Sequence, residues 1–239
     1  QNWLRAYGLN SHPNQLGLLL TSLILLVWPQ QARAKEGLWR WLFWLALAAG
    51  FAGLLVSLSR SAWLALGVGG LVLAWPRGAA AARSWREFAL LYGDVLASRL
   101  VALDSPLESR SLWERQRDWG IALRLVGERP FLGTGPGHYL AAAQEIDSAA
   151  VTVHNVPLLV AAELGLLGLV LWLAFWLWPL GRYGRSSARY GRSSAHRGAT
   201  AVWLALIVMA LVHPEPTLFL PKGAVLWGIA AAQWQGGAV

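Results

Sequence analysis

Apolar runs separated by short polar or basic stretches set the plan of the chain. Leu16–Trp28, Trp41–Leu58, Ala62–Trp75, Pro157–Leu180, Ala199–Val212 and Leu218–Trp234 hold only Glu163 and Lys222 as charged residues. Such runs predict helices that satisfy their own backbone in lipid, and about 20 residues are needed to cross. Trp41–Leu58 and Pro157–Leu180 are long enough. Leu16–Trp28, entered from the polar lead-in Tyr7–Asn14 with Pro13 placed for a helix start, falls short and is expected to tilt or to borrow length from its flanks. The predicted fold is all-α, a multi-pass transmembrane helical bundle forming a single membrane domain over 1–239.

Basic residues between the runs orient them. Arg33, Lys35 and Arg40 place the first loop in the cytoplasm, and so do the arginines of 181–198, where Arg182–Ala188 is repeated directly as Arg189–Ala195. That low-complexity stretch is expected to be a cytoplasmic basic linker, with a periplasmic loop at about 104–155. The region 78–103, carrying Arg83, Arg86, Glu87, Asp94 and Arg99, is too charged for an ordinary span. Arg77, Arg83 and Arg86 argue for cytoplasm, yet only one clear span separates them from 181–198. Either a crossing lies within Phe88–Leu103 or the chain lacks a helix that a longer relative would have. With Gln1 in place of Met and no leader pattern, the chain reads as the C-terminal part of a longer protein.

Ser111–Val126 follows a different pattern, that of a short amphipathic helix on the periplasmic side. Leu112, Trp119, Leu123 and Val126 fall on one stripe at about 100° per residue. Arg110, Arg117 and Arg124 line the opposite side as a solvated face, whereas Arg115 projects within roughly 40° of the stripe.

Composition agrees with this plan: 56% of residues are hydrophobic, 13% are charged, and the mean hydropathy is +0.44. The net charge of +8 is dispersed between apolar runs without a continuous basic face, so nucleic acid is not an expected partner. Cysteine is absent, which excludes disulfides, thiolate metal sites and cysteine nucleophiles.

Candidate chemistry concentrates at the ends of the runs. His154-Asn155 precedes a long apolar run, and a helix start offers unpaired N–H groups and partial positive charge to an anionic group beside a titratable imidazole. The alternative is that the pair merely caps the helix. Arg60 lies in the tight connection Ser59-Arg60-Ser61 between two apolar runs, as a snorkelling interfacial arginine or as a fixed cation for a lipid-linked phosphate. Glu163 is an ionisable group within a span, either functional or part of an ion pair between helices, and Gly165 and Gly168 allow close helix approach. The glycine-rich stretch Gly133-Thr134-Gly135-Pro136-Gly137 lacks the Lys-Ser/Thr ending of a phosphate loop and has no preceding strand, so it is expected to be a structural turn. His138 reads as a loop histidine. No His/Asp/Glu set has metal-ligand spacing, so no metal and no cofactor is expected.

The order of Ser59-Arg60-Ser61-Ala62, Arg115-x-x-x-Trp119-x-x-Ala122-Leu123, Arg129-Pro130-Phe131-Leu132-Gly133-x-Gly135-x-Gly137, His154-Asn155 and Ala162-Glu163-Leu164-Gly165-Leu166-Leu167-Gly168 resembles the O-antigen ligase and polymerase family of bacterial inner-membrane proteins, from about Asn10 onward. The resemblance implies a GT-C-like, metal-independent, inverting glycosyltransferase. It would move a glycan from undecaprenyl diphosphate to a lipid, glycan or protein acceptor on the periplasmic face. Arg60 and Arg115 would take the positions of the diphosphate-binding arginines and His154 that of the catalytic histidine, with Asn155 and Glu163 in support. The implied partners are the polyprenyl-diphosphate-linked glycan, a glycan or lipid acceptor, and membrane lipids. The stretch between Arg60 and Arg115 is short for the family. The chemistry is consistent with the residues themselves: two planar guanidinium forks can stabilise a diphosphate leaving group without a metal, and a near-neutral imidazole suits attack by a hydroxyl. A different class is a transporter or accessory membrane subunit in which Arg60, His154 and Glu163 line a solute path or lock helices together.

Overall fold

A computed structural model describes residues 13–33, 37–74, 106–190 and 194–213, and these are helical apart from turns and loops. The helices are α1 (Pro13–Val27), continued by a 3-10 segment at Trp28–Arg33, α2 (Leu38–Ser57), α3 (Arg60–Ala74), α4 (Pro106–Glu128), α5 (Tyr139–Ile146), α6 (Val156–Tyr190) and α7 (Ser194–Val212). The region 78–103 and the run Leu218–Trp234 lie outside the described residues. Two helical stretches, Leu38–Ser57 and Val156–Trp178, are long and apolar enough to cross a membrane. The runs at 62–75 and 199–212 give shorter apolar helices. Residues 181–198 form no simple turn, because α6 continues through Tyr190 and α7 starts at Ser194.

The chain divides into two compact units. In the first, α1 packs on α2 and α3 through small residues. Thr21 Oγ1 donates to the Ala62 carbonyl at 3.2 Å, and a Cβ added to Gly17 would stand 2.7 Å from Ala62 Cβ. Close approach of this kind brings backbones together without bulky interdigitation. The outer side of α2 carries exposed Trp39, Trp41, Trp44 and Leu45, a surface suited to lipid rather than water.

The α2–α3 connection is as tight as the sequence predicts. Leu58 alone adopts left-handed φ of 51° among the described non-glycine residues, and Ser59 then starts α3 by accepting the Ala62 N–H on its Oγ at 3.4 Å. A serine in this position offsets one unpaired donor of the new helix. Arg60 is therefore the first residue of α3.

The second unit holds α4, α5 and the start of α6, around a core of Ile121, Ala122, Leu125, Tyr139, Ala143, Ala150, Val153, Leu159 and Ala162. Here the expected orientation of α4 is corrected. Leu112, Trp119 and Leu123 are exposed, and the inward face is Asp118, Ile121, Ala122 and Leu125. The helix has two apolar edges, and alanine at 122 lets the second one approach α6 more closely than tryptophan and leucine would allow.

Candidate functional site

The second unit is built around an interruption in α6. Gly165 has φ 68° and ψ −174° within an otherwise helical run, a conformation that side-chain-bearing residues rarely adopt. The break releases backbone groups that a continuous helix would pair internally, and the glycine-rich turn takes them up. Thr134 N–H donates to the Ala162 carbonyl at 2.8 Å, Gly135 N–H to Glu163 at 2.9 Å, and Leu166 N–H to Pro130 at 2.7 Å. Thr134 Oγ1 adds a bond to the Ala162 carbonyl at 3.1 Å. A Cβ at Gly165 would overlap the Phe131 carbonyl, and one at Gly133 would overlap the Glu163 backbone. These two glycines are required because two backbones meet with no room between them.

Glu163, next to the break, has a defined structural task. Its Oε1 accepts the Tyr139 N–H at 3.3 Å, placing a carboxylate at the start of α5, where His138 supplies no side-chain cap. Negative charge is favoured at a helix N-terminus. It forms no ion pair among the described residues. His138 is a loop residue, as expected, its Nδ1 lying 3.0 Å from the Pro136 carbonyl.

Asn155 caps α6. Its Oδ1 accepts the Leu158 N–H at 2.9 Å, and its Nδ2 donates to the Leu211 carbonyl at 3.2 Å. One amide thus fixes the helix start and ties it to a distant part of the sequence. His154, the residue before the cap, is half-buried, and its ring meets that of His213 edge-on, with centroids 6.5 Å apart and planes at 72°. His213 is 4% exposed. Sequence reasoning passed over His213, although it ends an apolar run next to a proline just as His154 precedes one. The two rings meet only through the fold.

The four arginines of α4 separate by partner. Arg110 and Arg124 are exposed and pair along the helix with Glu114 at 2.9 Å and Glu128 at 2.8 Å, contacts that contribute about 0.3–0.5 kcal/mol each. Arg117 does not belong to the solvated face where the periodicity put it. Its Nε and Nη2 both donate to Asp118 Oδ1, Nη2 also donates to the Ala149 carbonyl at 2.8 Å, and the guanidinium stands over the Trp113 ring. The bond to Asp118 holds the Arg117 pKa above its ordinary value. Burial, reinforced by Asp118, pushes the Tyr139 phenol up as well, so its hydroxyl stays protonated and donates to the Asp118 carbonyl at 3.3 Å.

Arg115 differs from all three. It has no carboxylate partner among the described residues, and its Nε is buried without a hydrogen bond. A guanidinium with no carboxylate among the described residues and a buried Nε without a hydrogen bond can receive an anion. Arg115, His154, Asn155, Glu163 and His213 all belong to the second unit, while Arg60 belongs to the first.

No curated protein matches the chain. A family model described as O-antigen ligase matches residues 41–173, more than half of the 239 residues, and takes in Arg60, Arg115, the glycine-rich turn, His154 and the break in α6 at Gly165. With this match alongside the ordered motifs, the chain belongs to the O-antigen ligase family.

Proposed function

We propose that the protein transfers a glycan from an undecaprenyl-diphosphate donor to a lipid, glycan or protein acceptor on the periplasmic face of the bacterial inner membrane. The observation that carries this reading is Arg115, which has no carboxylate partner among the described residues on a helix where Arg110, Arg117 and Arg124 each have one. In the proposed reaction the acceptor hydroxyl attacks the anomeric carbon of the donor sugar and His154 takes its proton. The bond from that carbon to the diphosphate oxygen breaks, and the charge left on the lipid diphosphate is stabilised by Arg115, with Arg60 the second arginine that the family resemblance implies. A single displacement inverts the anomeric centre, and no step requires a metal. Asn155 holds the helix start that presents His154, and Glu163 supports the same corner by capping α5.

Donor binding and turnover separate these roles. Arg115→Ala is expected to weaken binding of the lipid-diphosphate glycan by about 1.5–3 kcal/mol, the worth of a charge-assisted hydrogen bond, while Arg124→Ala changes it little. His154→Ala should bind donor normally and transfer at least ~100-fold more slowly. Normal turnover by His154→Ala in the full-length protein would remove the catalytic role. Topology has its own check. Cysteines placed singly at Ser148 and Ser186 are expected to react with an impermeant maleimide from opposite faces of the membrane, and labelling of both from one face would overturn the orientation.

A further inference from the structure

The turn that fills the break in α6 carries two of the most exposed large apolar side chains, Phe131 at 74% and Leu132 at 76%. Its backbone is not free to sit anywhere along α6, because Pro130, Thr134 and Gly135 are bonded to Leu166, Ala162 and Glu163. If Val156 marks the membrane boundary, nine residues of helix put Gly165 about 13 Å below it. If the boundary is set from the other end, counting about 30 Å of hydrocarbon back from Arg182 puts it near Ala162, with Gly165 about 5 Å inside. On the first count the whole turn lies below the surface of the hydrocarbon region, and on the second it runs from that surface, at Thr134, to about 6 Å below it, at Pro130. The neighbouring Leu166, Leu167 and Val170 on α6 are also exposed, so the apolar tip continues a lipid-type surface.

We propose that Pro130–Gly135 is a re-entrant wedge, with Phe131 and Leu132 among the acyl chains of the leaflet on the His154 side. The inference rests on α6 crossing the membrane. Non-helical backbone is tolerated at that depth only where it is paired with or packed against protein. The bonds to α6 pair the Pro130 carbonyl and the Thr134 and Gly135 N–H groups, Gly133 N–H donates to Arg129, and the Phe131 carbonyl and Leu132 N–H pack against Gly165. On the count from Arg182, the Pro130 end of the turn lies about 6 Å below the boundary, within reach of the Arg129 stem for snorkelling back to the headgroups. The exposed Leu112, Trp119 and Leu123 of α4 suit the interfacial layer above the wedge.

The 239 residues hold no cysteine, so a direct test needs only any cysteine outside them replaced by serine. Spin labels are attached to single cysteines at Phe131, Leu132, Val170 and Arg124 in the full-length protein, reconstituted in phosphatidylethanolamine and phosphatidylglycerol vesicles. Collision with oxygen, which concentrates in lipid, is compared with collision with a water-soluble nickel chelate. All four positions are exposed, so labels should be accommodated. The expected result is that positions 131 and 132 match 170, accessible to oxygen and protected from nickel, while 124 is open to nickel. Nickel access at 131 and 132 with 170 still in lipid would overturn the wedge alone. Protection of 131 and 132 from both probes would mean that protein covers the tip, and would overturn it equally. Nickel access at 170 would remove the membrane crossing of α6, and the wedge with it.

Discussion

Gly165→Ala is expected to destabilise the protein by about 3 kcal/mol or more, combining a left-handed backbone that costs about 1–2 kcal/mol for an L-residue with a steric conflict against another backbone. The added Cβ would overlap the Phe131 carbonyl, which is already fixed by the bond from Leu166 N–H to the adjacent Pro130 carbonyl. Rotating Gly165 into helical geometry would relieve the strain but withdraw the Ala162 and Glu163 carbonyls from Thr134 and Gly135. The turn would then undock, and Glu163 would lose its place at the start of α5. Gly127→Ala makes the matching control. That glycine is helical with open space around its Cβ position, so alanine should be neutral or stabilise by up to about 1 kcal/mol. Thermal unfolding of the two variants in the full-length protein checks this, and equal melting temperatures would show that the break does not depend on glycine.

The break also marks where the sequence could be read and where it could not. The apolar runs at 41–58 and 157–180 were legible because length and lack of charge are enough to specify a helix in lipid, and the tight Ser59-Arg60 connection followed from their spacing. The glycines at 133 and 165 were visible as glycines. Their pairing was not, because nothing local shows that a turn some 30 residues upstream supplies donors to the carbonyls of a broken helix. Periodicity correctly found an amphipathic α4 and set Arg115 apart, but it could not tell which of two apolar edges the fold buries. His154 and Asn155 were legible as a helix start, and the cap is present at Asn155. The facing ring of His213 comes from a segment nearly sixty residues later.

Arg117 shows the limit of periodicity most clearly, and its replacement carries the other large expected effect. Counted at 100° per residue it sits with Arg110 and Arg124, so Arg117→Lys would have been expected to change little. Its side chain is only 17% exposed, however, and it faces Asp118, which is fully buried and whose Oδ2 has no hydrogen-bond partner. Removing the guanidinium would leave that carboxylate buried without its counter-charge, and breaking a buried pair from one side costs about 3–5 kcal/mol. Arg117→Ala would also sever the bond to the Ala149 carbonyl and the approach to Asp147, loosening the loop that leads to His154. Lysine keeps the charge but cannot donate to Asp118 and Ala149 through one planar fork, so Arg117→Lys should recover only part of the loss. Arg124→Ala, which removes only an exposed pair, should stay within about 0.5 kcal/mol of the parent. Asp118→Asn in the Arg117→Ala background distinguishes the cause, since removing the stranded charge should restore stability if desolvation is responsible. If Arg117→Ala melts with Arg124→Ala, or if Asp118→Asn gives no recovery, Arg117 is not the counter-charge that keeps Asp118 inside the fold.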